Sequence, residues 1–255
     1  MTRNVTIFTA VIAIISSMMI SAQAASPAEQ AVNQAAENNQ FSYVLFYKAN
    51  DAATKAMHGT LTATLSKRTD TAIIPVNAAD SNEQVLIKRF DVTRLPLPAV
   101  AVLAPNGAVC SVMPRQVSSQ QLLACIVSPV QATCLKTLQD NKLVALCVLP
   151  NAQASIPQGV VNFKQDKHFQ DRTRVIPVLA TDEQEAKFLN QLKVPTNQST
   201  AVVAFIAPPG VMVGMFNEKV TQNEMAEKLA AAGQCCEDEN CKHNKSASGS
   251  APQRR

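Results

Sequence analysis

Apolar and polar positions along the chain follow two periods, and the switches between them mark its elements. Ala28, Ala31, Val32, Ala35 and Ala36 recur at helical spacing behind Ser26, a helix cap, with Pro27 in the first turn and Glu29 completing a capping box. Phe41 to Tyr47 is an apolar run rich in aromatic and β-branched residues, the pattern of a buried strand. After the polar break Ala49-Asn50-Asp51 the spacing predicts a helix to about Arg68, then a strand over 71–77. Asp80 and Glu83 cap a helix that runs to about Phe90. Ala99 to Leu103 and Ala108 to Met113 read as strands joined by the turn Pro105-Asn106-Gly107. Ser118 and Gln121 open a last helix, which stops before Pro129.

Two crossover units, a hairpin and a covering helix make an α/β unit: a mixed sheet with helices on both faces. The same order then repeats. Ile74-Pro75-Val76 and the acidic capped helix ending at Val92 have a counterpart in Ile176-Pro177-Val178 and a helix capped by Thr181 that ends at Val194. These segments align without a gap. Phe41 to Tyr47 matches Leu143 to Leu149, and Ser118 with Gln121 matches Thr221 with Glu224. Ala104-Pro105-Asn106-Gly107 matches Ala207-Pro208-Pro209-Gly210 after one inserted residue. So many matches in register indicate a duplicated domain with its boundary near Pro129. The helix from Ala132 to about Asn141 opens the second copy. The expected domains are 25–129 and 130–233.

Both ends of the chain fall outside this pattern. Arg3, the uncharged apolar stretch Val5 to Ile20 and the small-x-small sequence Ala22-Gln23-Ala24 read as a signal peptide over 1–24, cleaved after Ala24. The mature protein is then expected in the periplasm or outside the cell, free of the membrane. After Gly233, a helix C-cap, periodicity ends. Residues 234–255 are a Cys/His cluster followed by a Ser/Ala/Gly/Lys/Arg tail whose composition predicts disorder.

Composition narrows the chemistry. Charged residues are 16% and aromatics 4%, with no basic stripe interleaved with aromatics, which argues against nucleic acid as a partner. Seven glycines form no phosphate-binding loop, and no Gly-x-Ser-x-Gly elbow occurs.

The arrangement resembles the thioredoxin-like family. Val44-Leu45-Phe46-Tyr47 is similar to the strand leading into that family's active-site loop, Leu97-Pro98-Ala99-Val100 to the turn holding its cis-proline, and the Pro-Asn-Gly hairpin to its strand-turn-strand. The resemblance implies two tandem thioredoxin-like domains, with Pro98 as the cis-proline. It also implies that the two redox cysteines would fall at Asp51 and Thr54, where neither side chain carries sulfur. In the second copy the slot lies near Gln153 to Ile156, again without Cys, and Ser199-Thr200-Ala201 replaces the proline turn, with Pro195 displaced upstream. Thiol–disulfide exchange at those positions is excluded, because it needs a thiolate there. Asp51 reads as a helix N-cap rather than an acid–base group.

Seven cysteines in an oxidising compartment leave at least one unpaired. Cys110, on the second hairpin strand, and Cys125, on the covering helix, are open to two readings: a structural disulfide or two buried thiols. Cys134 and Cys147, on the first helix and first strand of the second copy, are open to the same two, and Cys147 reads as core. Cys235, Cys236, Cys241 and His243 lie close together with acidic residues between them, a ligand set suited to zinc or copper. A disulfide from Cys241 to Cys235 or Cys236, or an incidental tail, are the other readings. His58 and His168 are isolated and read as surface residues.

The first functional expectation is a non-catalytic secreted module that binds an extracytoplasmic polypeptide in the groove beside Pro98 or in the inter-domain cleft. The second is capture or transfer of zinc or copper by the tail. The third is thiol–disulfide exchange by the tail cysteines.

Overall fold

Two largely apolar runs, Phe41–Tyr47 (β1) and Leu143–Leu149 (β5), form the interiors of two separate four-stranded sheets in the computed structural model, which describes residues 25–195 and 198–233. Each run is buried on both faces, so neither shows the alternation of a half-exposed strand. In the first sheet β1 pairs in parallel with Thr71–Asn77 (β2) and antiparallel with Ala99–Leu103 (β3), which pairs with Val109–Pro114 (β4). The order is β2-β1-β3-β4. The second sheet repeats it with Thr173–Leu179 (β6), Val202–Ala207 (β7) and Val211–Asn217 (β8) in the order β6-β5-β7-β8.

Helices cover both faces of each sheet. In the first domain, Pro27–Glu37 (α1) and Gln84–Arg89 (α3) pack Ala28, Val32, Leu86 and Ile87 on Val44 and Phe46. Ala52–Leu65 (α2) and Ser119–Ala124 (α4) pack Met57, Leu61, Leu65 and Leu122 on Tyr43 and Leu45, the opposite face of the same strand. The Tyr43 hydroxyl donates to the Leu122 carbonyl at 2.8 Å, so the one polar atom of that buried ring has a partner. In the second domain Pro129–Gln139 (α5) and Ala186–Gln191 (α7) cover one face, and Gln158–Gln165 (α6) and Gln222–Gly233 (α8) the other. Each domain is an α/β unit with the strand order and helix cover that the thioredoxin-like resemblance implies, and the described residues form two of them in tandem. No helix of the described residues is long and apolar enough to cross a membrane.

The starts of α1 and α5 differ from the sequence expectation. Ser26 accepts from the Glu29 N–H at 3.1 Å, but the carboxylate that completes this cap is Glu83, not Glu29. Glu83 is buried. It accepts from the Ser26 hydroxyl at 2.6 Å and from the Ala28 N–H at 3.2 Å. Glu185 does the same for α5, accepting from the Ser128 hydroxyl and from the Val130 N–H at 2.9 Å. The serine and glutamate are 57 residues apart in both domains. Pro27 and Pro129, at the first helical position, have no N–H to satisfy, so each serine–glutamate pair bonds the next two donors of the helix. A negative group at a helix N-terminus also opposes the helix dipole favourably.

Other boundaries shift for identifiable reasons. α5 begins at Pro129 rather than Ala132, because Ser128 caps it. Asp182, not Thr181, turns the chain before α7, accepting from the Gln184 N–H as Asp80 does from Asn82. α2 ends at Leu65 rather than Arg68, whose guanidinium instead grips Asp70 through two hydrogen bonds.

α5 belongs to both domains. Cys134 and Leu138 sit in the second core, while Ala132 and Leu135 pack on the first with Ile126 and Val127. Its last residue, Gln139, donates to the Val109 carbonyl at 2.7 Å and accepts from the Val109 N–H at 2.9 Å.

Glu83→Ala is expected to lower the free energy of unfolding by about 2–3 kcal/mol, because it orphans a buried hydroxyl and a backbone N–H. Urea denaturation of this variant, of Ser26→Ala and of the double variant measures the coupling. A loss no larger than that of an ordinary surface substitution would contradict the role given to this carboxylate.

Candidate functional site

The first turn of α2 faces the loop that leads into β3. Asp51 is the N-cap of α2, accepting from the Thr54 N–H at 2.9 Å, and the Thr54 hydroxyl donates to the Ala49 carbonyl at 2.9 Å. The Leu97–Pro98 peptide bond is cis. Asp51, Thr54 and Pro98 thus come together on one cleft of about 860 Å³, whose remaining wall is Ile87 from α3, Val92, Thr93 and Leu95 from the turn after it, and Lys48, Ala49 and Ala78 from the strand ends. The floor is apolar and the rim polar. Among the described residues, neither the N–H nor the C=O of Leu97 has a hydrogen-bond partner, although Leu97 lines this cleft. Pro98 is buried and its carbonyl accepts from Arg115.

The Asp51–Thr54 pair is held by hydrogen bonds at the first turn of α2. The Thr54 backbone N–H, then its side chain, hold the Asp51 carboxyl below the usual range, so it is ionised at neutral pH. This cap is present above the unfolded-state pKa and is lost as pH falls through the depressed folded value. The Thr54 hydroxyl is spent on the Ala49 carbonyl, and no base lies against it among the side-chain hydrogen bonds of the described residues. Sequence reasoning found Asp51, Thr54 and the turn Leu97-Pro98, but not Ile87, Val92 or Leu95 as groove residues. The spacing of these apolar residues in the turn between α3 and β3 was the available signal.

The corresponding end of the second domain is built differently. α6 begins at Gln158, behind Pro157, so the slot sits later than Gln153 to Ile156. Its first turn presses on the chain ahead of α8: a Cβ at Gly159 would lie 2.0 Å from the Val220 carbonyl oxygen. Ala201 stands before β7 where Pro98 stands before β3. The depression there, about 610 Å³, is lined by Asn151, Gln153, Ser199, Thr200, Glu218 and Lys219 among others and is mostly polar.

His58, on α2, lines a separate shallow depression of about 360 Å³ with Tyr47, Asn50 and Lys55. His168 is exposed beside Asp166, its Nδ1 3.1 Å from the carboxylate. Cys110 and Cys125 share the first-domain core layer and stand as separate thiols, and Cys134 and Cys147 are buried thiols of the second domain. Burial pushes Cys110 up to about 11, and Cys134 and Cys147 up to about 12. Cys235, Cys236, Cys241 and His243 lie outside the described residues, as does the segment 1–24. Among the described residues, no group of three or more His, Cys, Asp or Glu is placed to hold a metal ion.

No family model and no curated relative matches this chain. Among solved structures it is similar to the NTD_N/C domain of alkylhydroperoxide reductase AhpF from Enterococcus faecalis, with 15% identity, 78% of this chain and 96% of that one covered, and a TM-score of 0.29. It is also similar to human ERp44 form II, with 10% identity over 80% of this chain and a TM-score of 0.34, and spans 55% of that chain. For the first two thioredoxin domains of Naumovozyma dairenensis Eps1p the values are 10% identity, coverage of 73% and 86%, and a TM-score of 0.28.

Alkylation at mildly alkaline pH followed by peptide mapping is expected to leave Cys134 and Cys147 unmodified until denaturant is added, since their thiolate populations are negligible there. Rapid labelling of either thiol in the folded protein would contradict their place in the core.

Proposed function

We propose that this protein is a secreted, non-catalytic thioredoxin-like module that holds an extended segment of another polypeptide in the first-domain groove beside Pro98. The observation that carries this reading is the unpartnered main-chain pair of Leu97. A free N–H and C=O on one residue, set in an apolar cleft, suit the backbone of an extended chain, which brings one acceptor and one donor at matching spacing. Ile87, Val92 and Leu95 supply contact for apolar side chains of that segment, and Lys48 and Asp51 give the rim one charge of each sign. Asp51 and Thr54 replace sulfur at the helix N-terminus, so the groove binds without exchanging disulfides. The apolar leader over 1–24 supports an extracytoplasmic setting and therefore an extracytoplasmic partner, with the protein as adaptor.

The test uses an unfolded, carboxymethylated polypeptide carrying a fluorophore. Anisotropy is expected to show saturable binding, weakened roughly tenfold or more by Thr93→Arg, which fills the groove from an exposed position. The same substitution at Thr200, in the second domain, is expected to leave binding unchanged. Insulin reduction by the wild type is expected to be flat. Binding indifferent to Thr93→Arg, or disulfide turnover abolished by Cys241→Ser, would overturn the proposal.

A further inference from the structure

Two open sheets have four edge strands, and an uncovered edge is a template for pairing with another chain. Three of the four are closed by devices visible in the structure. β2 and β6 carry Pro75 and Pro177 at the same register position, which removes a backbone donor from each edge. β4 is covered by α5: the Gln139 amide meets the N–H and C=O of Val109 as a neighbouring peptide group would, with Ala132 and Leu135 packed beside it.

The fourth edge, β8, has none of these. Its sequence, Val211–Asn217, contains no proline and no charge. Met212 stands opposite Ile206 as Val109 stands opposite Leu103 in the first domain, and no side chain of the described residues bonds its backbone. Val211, Met212 and Met215 are 50%, 38% and 40% exposed, which makes β8 the richest concentration of exposed large apolar side chains among the described residues.

We infer that β8 pairs antiparallel with β8 of a second copy across a two-fold axis, joining the second-domain sheets of two molecules into one. The chain itself argues for a strand rather than a helix as the cover. α1 is the only counterpart of α5 that a second molecule would offer, and it carries Gln30, Asn33 and Glu37 where α5 carries Ala132, Leu135 and Gln139. Glu37 cannot reproduce the Gln139 clamp, because an ionised carboxylate has no proton to donate to a strand carbonyl. Head-to-tail addition through α1 is thereby disfavoured, which leaves the closed, isologous arrangement. An uncharged strand suits self-pairing, since an antiparallel two-fold brings no like charges opposite each other. This inference is independent of the groove in the first domain.

Light scattering on the mature full chain over a dilution series is expected to give twice the protomer mass at high concentration, falling to the protomer mass on dilution. Met215→Lys, a substitution at an exposed position, is expected to give the protomer mass throughout with an unchanged circular dichroism spectrum. Val112→Lys, on the covered edge β4, is expected to leave the doubled mass intact. Hydrogen exchange of the wild type supplies a readout that no variant can confound: β8 amides are expected to lose protection on dilution. A wild type that stays at the protomer mass, a Met215→Lys variant that keeps the doubled mass, or β8 protection that does not change with concentration would each overturn the inference.

Discussion

The buried carboxylate beneath the first helix is the contact on which each domain's architecture depends. Glu83 ties the start of α1 to the turn that begins α3, two elements far apart in sequence that cover the same face of the sheet. A buried carboxylate is destabilising unless its oxygens are bonded. Here a hydroxyl and a backbone N–H meet it, so the interaction fixes where α1 begins relative to α3. The consequence reaches the groove. Ile87 lines it from α3, one turn beyond Glu83, and Val92 and Leu95 follow in the next turn. A carboxylate that fixes where α3 starts also fixes the apolar wall of the cleft.

The second constraint is that the two domains share α5. Its two apolar stripes are Ala132 with Leu135 and Cys134 with Leu138, pointing into different cores, so the helix cannot slide relative to one domain without unpacking from the other. Gln139 closes the β4 edge at the same junction. A tandem array joined by a flexible linker would have left that edge open. Here the linker region Ile126–Ser128 is short and partly buried, and the domain boundary is itself a packed surface.

Much of this fold was legible in the sequence because its signals are local. β1 and β5 are compact, largely apolar runs, and Ser26, Ser118 and Thr221 announce their helices with a hydroxyl at the cap position. The correspondence of elements between the two copies followed from the repeat itself. What was missed depends on atoms distant in the chain. Glu83 reads locally as a helix-starting acid, and only the folded sheet brings it, and Glu185 in the second copy, under Ser26 and Ser128. The start of α6 was obscured because Pro157 offers no side-chain cap, so nothing in the loop after β5 distinguishes Gln153 from Gln158. In the groove, side chains identified Asp51, Thr54 and Pro98, but the unpartnered main-chain pair at Leu97 could not be read, because no residue type encodes an unpartnered backbone group.

The pattern of divergence between the copies separates scaffold from site. One constant offset relates α1 to α5, β1 to β5, β2 to β6 and α3 to α7, and it carries the serine–glutamate clamp and both strand prolines with it. The left-handed residues Asn39 and Asp91 recur in the same way as Asn141 and Lys193. The correspondence fails in two places: the segment from the end of the first strand through the following helix, where α2 and α6 differ in length and start, and the approach to the third strand, where one residue is inserted and Pro98 has no equivalent. These are the two segments that face each other across the first-domain groove. Both copies keep the packed cores and the serine–glutamate pair at the same offset. The loops at the groove differ in length, polarity and backbone course. The first copy keeps an apolar cleft with a free main-chain pair, and the second has a polar surface and a glycine pressed against Val220. Two domains built by the same packing rules therefore present different surfaces at corresponding ends of their sheets.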